Sequence, residues 1–152
     1  YDIGTRIITI MKFEQHIIDI GRQNGHEQKF EWIPNELKNN ERVVATLVTK
    51  NGLALYYASN ELKNNEDVVT AAVTNIGYAL RHASDEMKGN ARVVSAAVTQ
   101  NCEALVYASD ELKNNQQVVL IAITGGAHRH GHGSARALKY ASYEMKNNER
   151  VV

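Results

Sequence analysis

The stretch Glu61-Leu62-Lys63-Asn64-Asn65-Glu66-Asp67-Val68-Val69-Thr70-Ala71-Ala72-Val73 returns along the chain with small changes. Its first half recurs as Glu36-Leu37-Lys38-Asn39-Asn40, Glu86-Met87-Lys88-Gly89-Asn90 and Glu111-Leu112-Lys113-Asn114-Asn115, at intervals of 25 residues. A fifth block, Glu144-Met145-Lys146-Asn147-Asn148, follows after 33, so the fourth unit carries an insertion of 8. A fixed period of this length marks stacked supersecondary units, none of which buries its apolar face alone.

Each block leads into an apolar stripe: Val43-Val44 with Leu47-Val48, Val68-Val69 with Ala72-Val73, Val93-Val94 with Ala97-Val98, Val118-Val119 with Ala122-Ile123. The spacing i, i+1, i+4, i+5 is helical and not the alternation of a half-buried strand. Valine alone would permit a strand, and the flanks decide. Asn40, Asn65, Asn90, Asn115 and Asn148 stand where an N-cap belongs. Glu41, Glu66 and Glu149 place carboxylates in the first turn, against the helix dipole. Gly52 and Gly77 follow the first two stripes, where a left-handed C-cap is expected. This predicts a helix A of roughly ten residues per unit.

The rest of the unit also has helical spacing: Leu55, Ala58 and Leu62, then Leu80, Ala83 and Met87, then Leu105, Ala108 and Leu112. A continuous helix B, from about 53 to 63 in its first occurrence, is the preferred reading. The alternative is a split, with Ser59, Ser84, Ser109 and Ser142 capping a separate short turn. Two helices this short are unstable alone, and stacking supplies their shared core. The expected fold is all-α, a right-handed-type α-solenoid of about four two-helix repeats. Residues 1–35 read as a degenerate N-terminal capping unit, followed by 36–60, 61–85, 86–110, 111–143 with the insertion, and a truncated 144–152. Because the last block opens another helix A, the native protein is expected to continue beyond it, and the start at Tyr1 suggests a fragment or a processed form.

These units resemble the bacterial and protist repeat family known as domain of unknown function 4116. The resemblance rests on the string from Leu62 to Val73 and on Ala79-Leu80 with Ala83-Ser84 and Glu86-Met87-Lys88, and it covers about residues 33–152. It implies helical tandem repeats, sometimes inside large proteins that include effector-like ones of intracellular bacteria. It brings no catalytic residues.

Composition narrows function. Lysine plus arginine and aspartate plus glutamate each total 17, so no basic excess points to nucleic acid or an anionic membrane. No apolar run approaches the roughly 18 residues of a membrane span. Cys102 is the sole cysteine, so no intrachain disulfide forms and a reducing, cytoplasmic setting is the default, with delivery as a secreted effector left open. Cys102 has no histidine–acid companion at a recognisable spacing and reads as an inert thiol. No phosphate loop, zinc-protease motif or nucleophile elbow is present, and no enzyme activity is expected.

Three features could carry function. The insertion holds His128, His130 and His132; in an extended segment, residues two apart share a side, so these imidazoles could meet Zn²⁺, Ni²⁺ or Cu²⁺. The bland reading is a polar surface loop that titrates near neutrality, with no cofactor. Tyr57, His82, Tyr107 and Tyr140 occupy one repeat position, as a partner-binding strip or as a seal on the core edge; beside them, Tyr56, Arg81, Val106 and Lys139 read as solvent-facing. The rows Lys38, Lys63, Lys88, Lys113, Lys146 and Glu36, Glu61, Glu86, Glu111, Glu144 alternate in sign, as a self-neutralised face does. Of each Asn pair, one is expected to cap helix A and the other to bond to backbone in the next unit. The leading expectation is protein interaction or scaffolding, through a protein partner or by self-association. A metal- or ligand-binding module and the structural arm of a larger enzyme are the alternatives.

Overall fold

Asn65 explains why a helix begins at residue 66: its extended backbone turns the chain, and its side chain accepts the Val68 N–H. Asn40, Asn90 and Asn115 receive the N–H groups of Val43, Val93 and Val118 in the same way. A computed structural model of the chain describes residues 11–16, 19, 33–130 and 133–147, at backbone level only over 126–130 and 133–135. Among the described residues there is no strand. The order is α1 (Asn35–Lys38), α2 (Glu41–Lys50), the 3-10 segment η1 (Gly52–Tyr57), α3 (Asn60–Lys63), α4 (Glu66–Asn75), η2 (Gly77–His82), α5 (Asp85–Lys88), α6 (Ala91–Gln100), η3 (Cys102–Tyr107), α7 (Asp110–Lys113), α8 (Gln116–His130), α9 (Gly133–Tyr140) and α10 (Tyr143–Lys146). Like packs on like: α2 on α4 on α6 on α8, and η1 on η2 on η3 on α9. The helical repeat array expected from the period is present.

The core runs the length of the stack. Val68, Val69, Ala72 and Val73 of α4, Ala79 and Leu80 of η2, and Ala83 and Met87 are all buried, and the neighbouring units bury the equivalent residues. Each fully buried valine or leucine contributes roughly 1.5–3 kcal/mol relative to exposure, far more than ten-residue helices gain from propensity.

The expected continuous helix B is corrected. Each unit holds three segments, because Ala58 and Ser59 both adopt extended backbone and stop η1 before α3 starts. The cause is a bond outside the unit. Ser59 N–H donates to the Lys38 carbonyl at 2.8 Å, Ser84 to Lys63 at 2.9 Å, and Ser109 to Lys88 at 2.9 Å. An amide committed to the preceding unit cannot also close a helical turn. The serine hydroxyl meanwhile caps the next turn, accepting from Leu62, Met87 or Leu112 N–H.

The C-cap reading of Gly52 and Gly77 is also corrected. The extended residues Asn51 and Ile76 end α2 and α4, and the glycines open η1 and η2. What excludes a side chain is close approach: a Cβ on Gly52 would lie 2.2 Å from the Ala72 carbonyl oxygen, and one on Gly77 2.6 Å from that of Ala97. The glycine N–H groups donate to Asn75 Oδ1 and Gln100 Oε1 of the next unit, at 2.8 and 2.6 Å.

The first Asn of each pair does form a ladder, but to side chains and not to backbone as expected. Asn39, Asn64 and Asn114 accept from the hydroxyls of Ser59, Ser84 and Ser142, and donate to Glu61, Glu86 and Glu144 at 2.9 to 3.0 Å. In the third unit Gly89 takes the Asn place, and no such bond reaches Ser109 or Glu111. This changes the reading of the charged rows as well. The glutamates face asparagine, and Lys88 and Lys113 pair instead with Asp85 and Asp110, both at 3.4 Å.

The insertion departs from the expected loop. The helix of the fourth unit runs on to His130, and the segment that follows winds as α-helix over Gly133–Tyr140 where the other units have 3-10 turns. At the opposite end, Glu14 accepts from Asn40 at 2.9 Å much as Glu66 accepts from Asn90 at 3.1 Å, so part of the worn first unit occupies a repeat-like place. Most of 1–32, the opening of the expected capping unit, lies outside the described residues, as do 148–152.

Candidate functional site

Segments η1, η2, η3 and α9 lay down one face of the stack. A 3-10 turn has three residues, so Ala54, Leu55 and Ala58 turn into the core while Leu53, Tyr56 and Tyr57 turn away from full burial. Repetition of that choice builds three rows, Leu53–Tyr78–Glu103–Arg136, Tyr56–Arg81–Val106–Lys139 and Tyr57–His82–Tyr107–Tyr140.

The third row is the one expected to bind or to seal. Tyr57, His82, Tyr107 and Tyr140 are all half-buried, and the three tyrosines pack against the core. Within η1, η2, η3 and α9, the ring with most area left open belongs to the neighbouring row. Tyr56 is 57% exposed. It is nevertheless held, edge-on to Tyr57 at 4.8 Å and to His82 at 5.1 Å between ring centroids, with the Lys63 ammonium 5.7 Å from its own centroid. Farther along, Tyr78 meets Tyr107 edge-on at 6.1 Å, and Lys139 lies 5.5 Å from the Tyr140 ring. The clustering was not visible in the sequence, because the 3-10 geometry that creates it was not expected.

The electrostatics of the face are local. Burial, and then the positive charges of Arg81, Lys63 and Lys88, push His82 down to about 4, so it is neutral at neutral pH. Burial lowers Lys63. In the first row Tyr78 donates to Glu103, whose other oxygen accepts from Arg136 at 2.8 Å. That hydrogen bond, with burial and the carboxylate charge, pushes Tyr78 up to about 12. The same bond, aided by Arg136 and opposed by burial, lowers Glu103. The three residues clamp three consecutive units, and Arg136 fastens the helix that follows the insertion.

The other sequence candidates lie apart from this face. His128 and His130 fall in the helical part of α8, and His132 lies outside the described residues. The backbone at 128 and 130 is therefore helical and not the extended segment expected from the sequence. Among the described residues, no three histidine, cysteine, aspartate or glutamate side chains gather as metal ligands. Cys102 is buried where the first two units have glycine, and burial pushes its thiol up, away from the reactive thiolate. No helix among the described residues is long and apolar enough to cross a membrane.

The family model of a domain of unknown function (DUF4116) matches residues 40–88 and 92–127. No curated protein and no solved structure matches the chain.

Proposed function

We propose that this chain, which belongs to the DUF4116 family of unknown function, is a non-catalytic protein-interaction or scaffolding segment working through the face of η1, η2, η3 and α9. The observation that carries this reading is Tyr56, a large ring kept open to solvent and fixed on two sides by Tyr57 and His82. A pre-ordered aromatic loses little entropy on contact, which is why such rings anchor interfaces. The repeat supplies the support: every unit bonds to the last, so contacts on successive units stay in a fixed relation.

A photo-crosslinking residue at Leu53, exposed on this face, is compared with one at Asp67, exposed on the α4 side. In cells making the protein, position 53 is expected to capture a protein partner and position 67 is not. Capture of a second copy at 53 alone would make the interaction self-association. Equal capture at both positions, or none at 53, overturns the proposal.

A further inference from the structure

The charged groups around Tyr56 are not balanced in place. In the lysine row, Lys38 donates to Asn35, three positions earlier, at 2.9 Å. Lys88 and Lys113 have Asp85 and Asp110 there, and they pair with them. Lys63 has Asn60 there and lies over the Tyr56 ring instead. No carboxylate pairs with Arg81 among the described residues. The glutamates of the adjoining short helices are engaged elsewhere, Glu61 by Asn39 and Glu86 by Asn64. The charges that act on His82 agree: Arg81, Lys63 and Lys88 all disfavour its protonation, and no acid counters them. Lys63 over the Tyr56 ring and Arg81 beside His82 therefore have no paired carboxylate among the described residues, in a chain whose formal net charge is zero.

Resting on the interaction role above, we infer that this face takes an acidic peptide segment of a protein partner, its carboxylates meeting Arg81 and Lys63 and an apolar side chain lying against Tyr56. The arginine fork matches a carboxylate bidentately, and the ammonium adds a point charge beside it. A single-stranded nucleic acid suits the face poorly. It needs a run of cations along its backbone and flat rings open for successive bases. Here Arg136 is taken by Glu103, Tyr57, Tyr107 and Tyr140 are half-buried, and the rings meet edge to face.

The probe is a fluorescein-labelled peptide of repeated Glu-Glu-Phe, followed by anisotropy at low salt against the whole chain. The comparators are the same peptide with lysine for glutamate, and labelled oligothymidylate. The acidic peptide is expected to bind, and the double variant Lys63→Glu/Arg81→Glu to weaken it at least about tenfold, or about 1.4 kcal/mol. The control Arg42→Glu/Lys50→Glu, which removes the same charge from the exposed side of α2, is expected to leave binding within about twofold. If the charge-reversed protein fails to melt cooperatively, Lys63→Gln/Arg81→Gln replaces it in the same comparison. Absence of acidic-peptide binding, equal binding of the lysine peptide or the oligonucleotide, or equal weakening by the control pair each overturns the inference. Capture of a partner at position 53 alongside any of these results leaves the interaction role standing and removes only the acidic chemistry.

Discussion

Replacing Gly89 by asparagine should stabilise the protein. Gly89 is the one interruption of the Asn–Ser–Glu ladder between the second unit and the fourth. Its backbone, φ −94° and ψ −4°, is close to that of Asn64 at −104° and 3° and of Asn114 at −99° and 5°. A Cβ there meets only ordinary contacts, the nearest being the Glu86 carbonyl oxygen at 3.4 Å, with Ser109 Oγ at 3.9 Å. Three contributions set the size. Loss of glycine freedom in the unfolded chain is worth about 0.4–1 kcal/mol. Two new hydrogen bonds, to Ser109 and Glu111, add about 0.5 kcal/mol each, the low end of the range, because the equivalent asparagines are exposed. Ordering one side chain costs about 0.5–1 kcal/mol. The net is about 1 kcal/mol, or a rise in Tm of about 2–4 °C for a chain of this length. Gly89→Ala keeps only the backbone contribution. Ser109→Ala, made in both backgrounds, isolates the ladder from the N-cap that Ser109 also provides. Urea and thermal unfolding give all five stabilities, the unsubstituted protein included. The reasoning fails if Gly89→Asn is no more stable than Gly89→Ala, or if it shows no coupling to Ser109.

Gly52→Ala should destabilise by about 2 kcal/mol, since its methyl would sit 2.2 Å from the Ala72 oxygen and force two units apart; unfolding midpoints matching those of the unhindered Gly89→Ala would refute the close approach. His82 is held well below its ordinary 6.5, at about 4. Between these values the unfolded chain takes up the proton first, so the neutral imidazole favours folding fully above pH 6.5, and that advantage fades as pH falls toward 4. Allowing for solvent at this half-buried site, the loss is on the order of 1 kcal/mol. His82→Tyr, which copies the other units, should flatten the stability profile between pH 6.5 and 4, and an unchanged slope would contradict the assignment.

The helix over 41–50, its asparagine cap and its buried valines were legible because each depends on residues within one turn. The split after Tyr57 was legible only as the second choice, from the capping serines, because the bond that makes it ends on Lys38, 21 residues away. For the same reason Gly52 looked like a C-cap, when a carbonyl from the next unit is what excludes its side chain. The insertion misled differently. Glycines and histidines suggested a loop, while the stack below continues the helix through Gly125 and Gly126 to His130. The aromatic row was found by period alone. Tyr56 already read as solvent-facing beside that row, and it is open, whereas Val106 of the same position is half-buried.

The central structural claim is that each unit is bonded to the one before through the serine that ends its 3-10 segment. Residue-resolved hydrogen exchange of the Ser59, Ser84 and Ser109 amides tests it most directly. If those amides donate to Lys38, Lys63 and Lys88, they exchange as slowly as the Val69 amide inside α4. Exchange at the rate of an exposed turn would contradict the bond, and with it the three-segment unit and the face it builds.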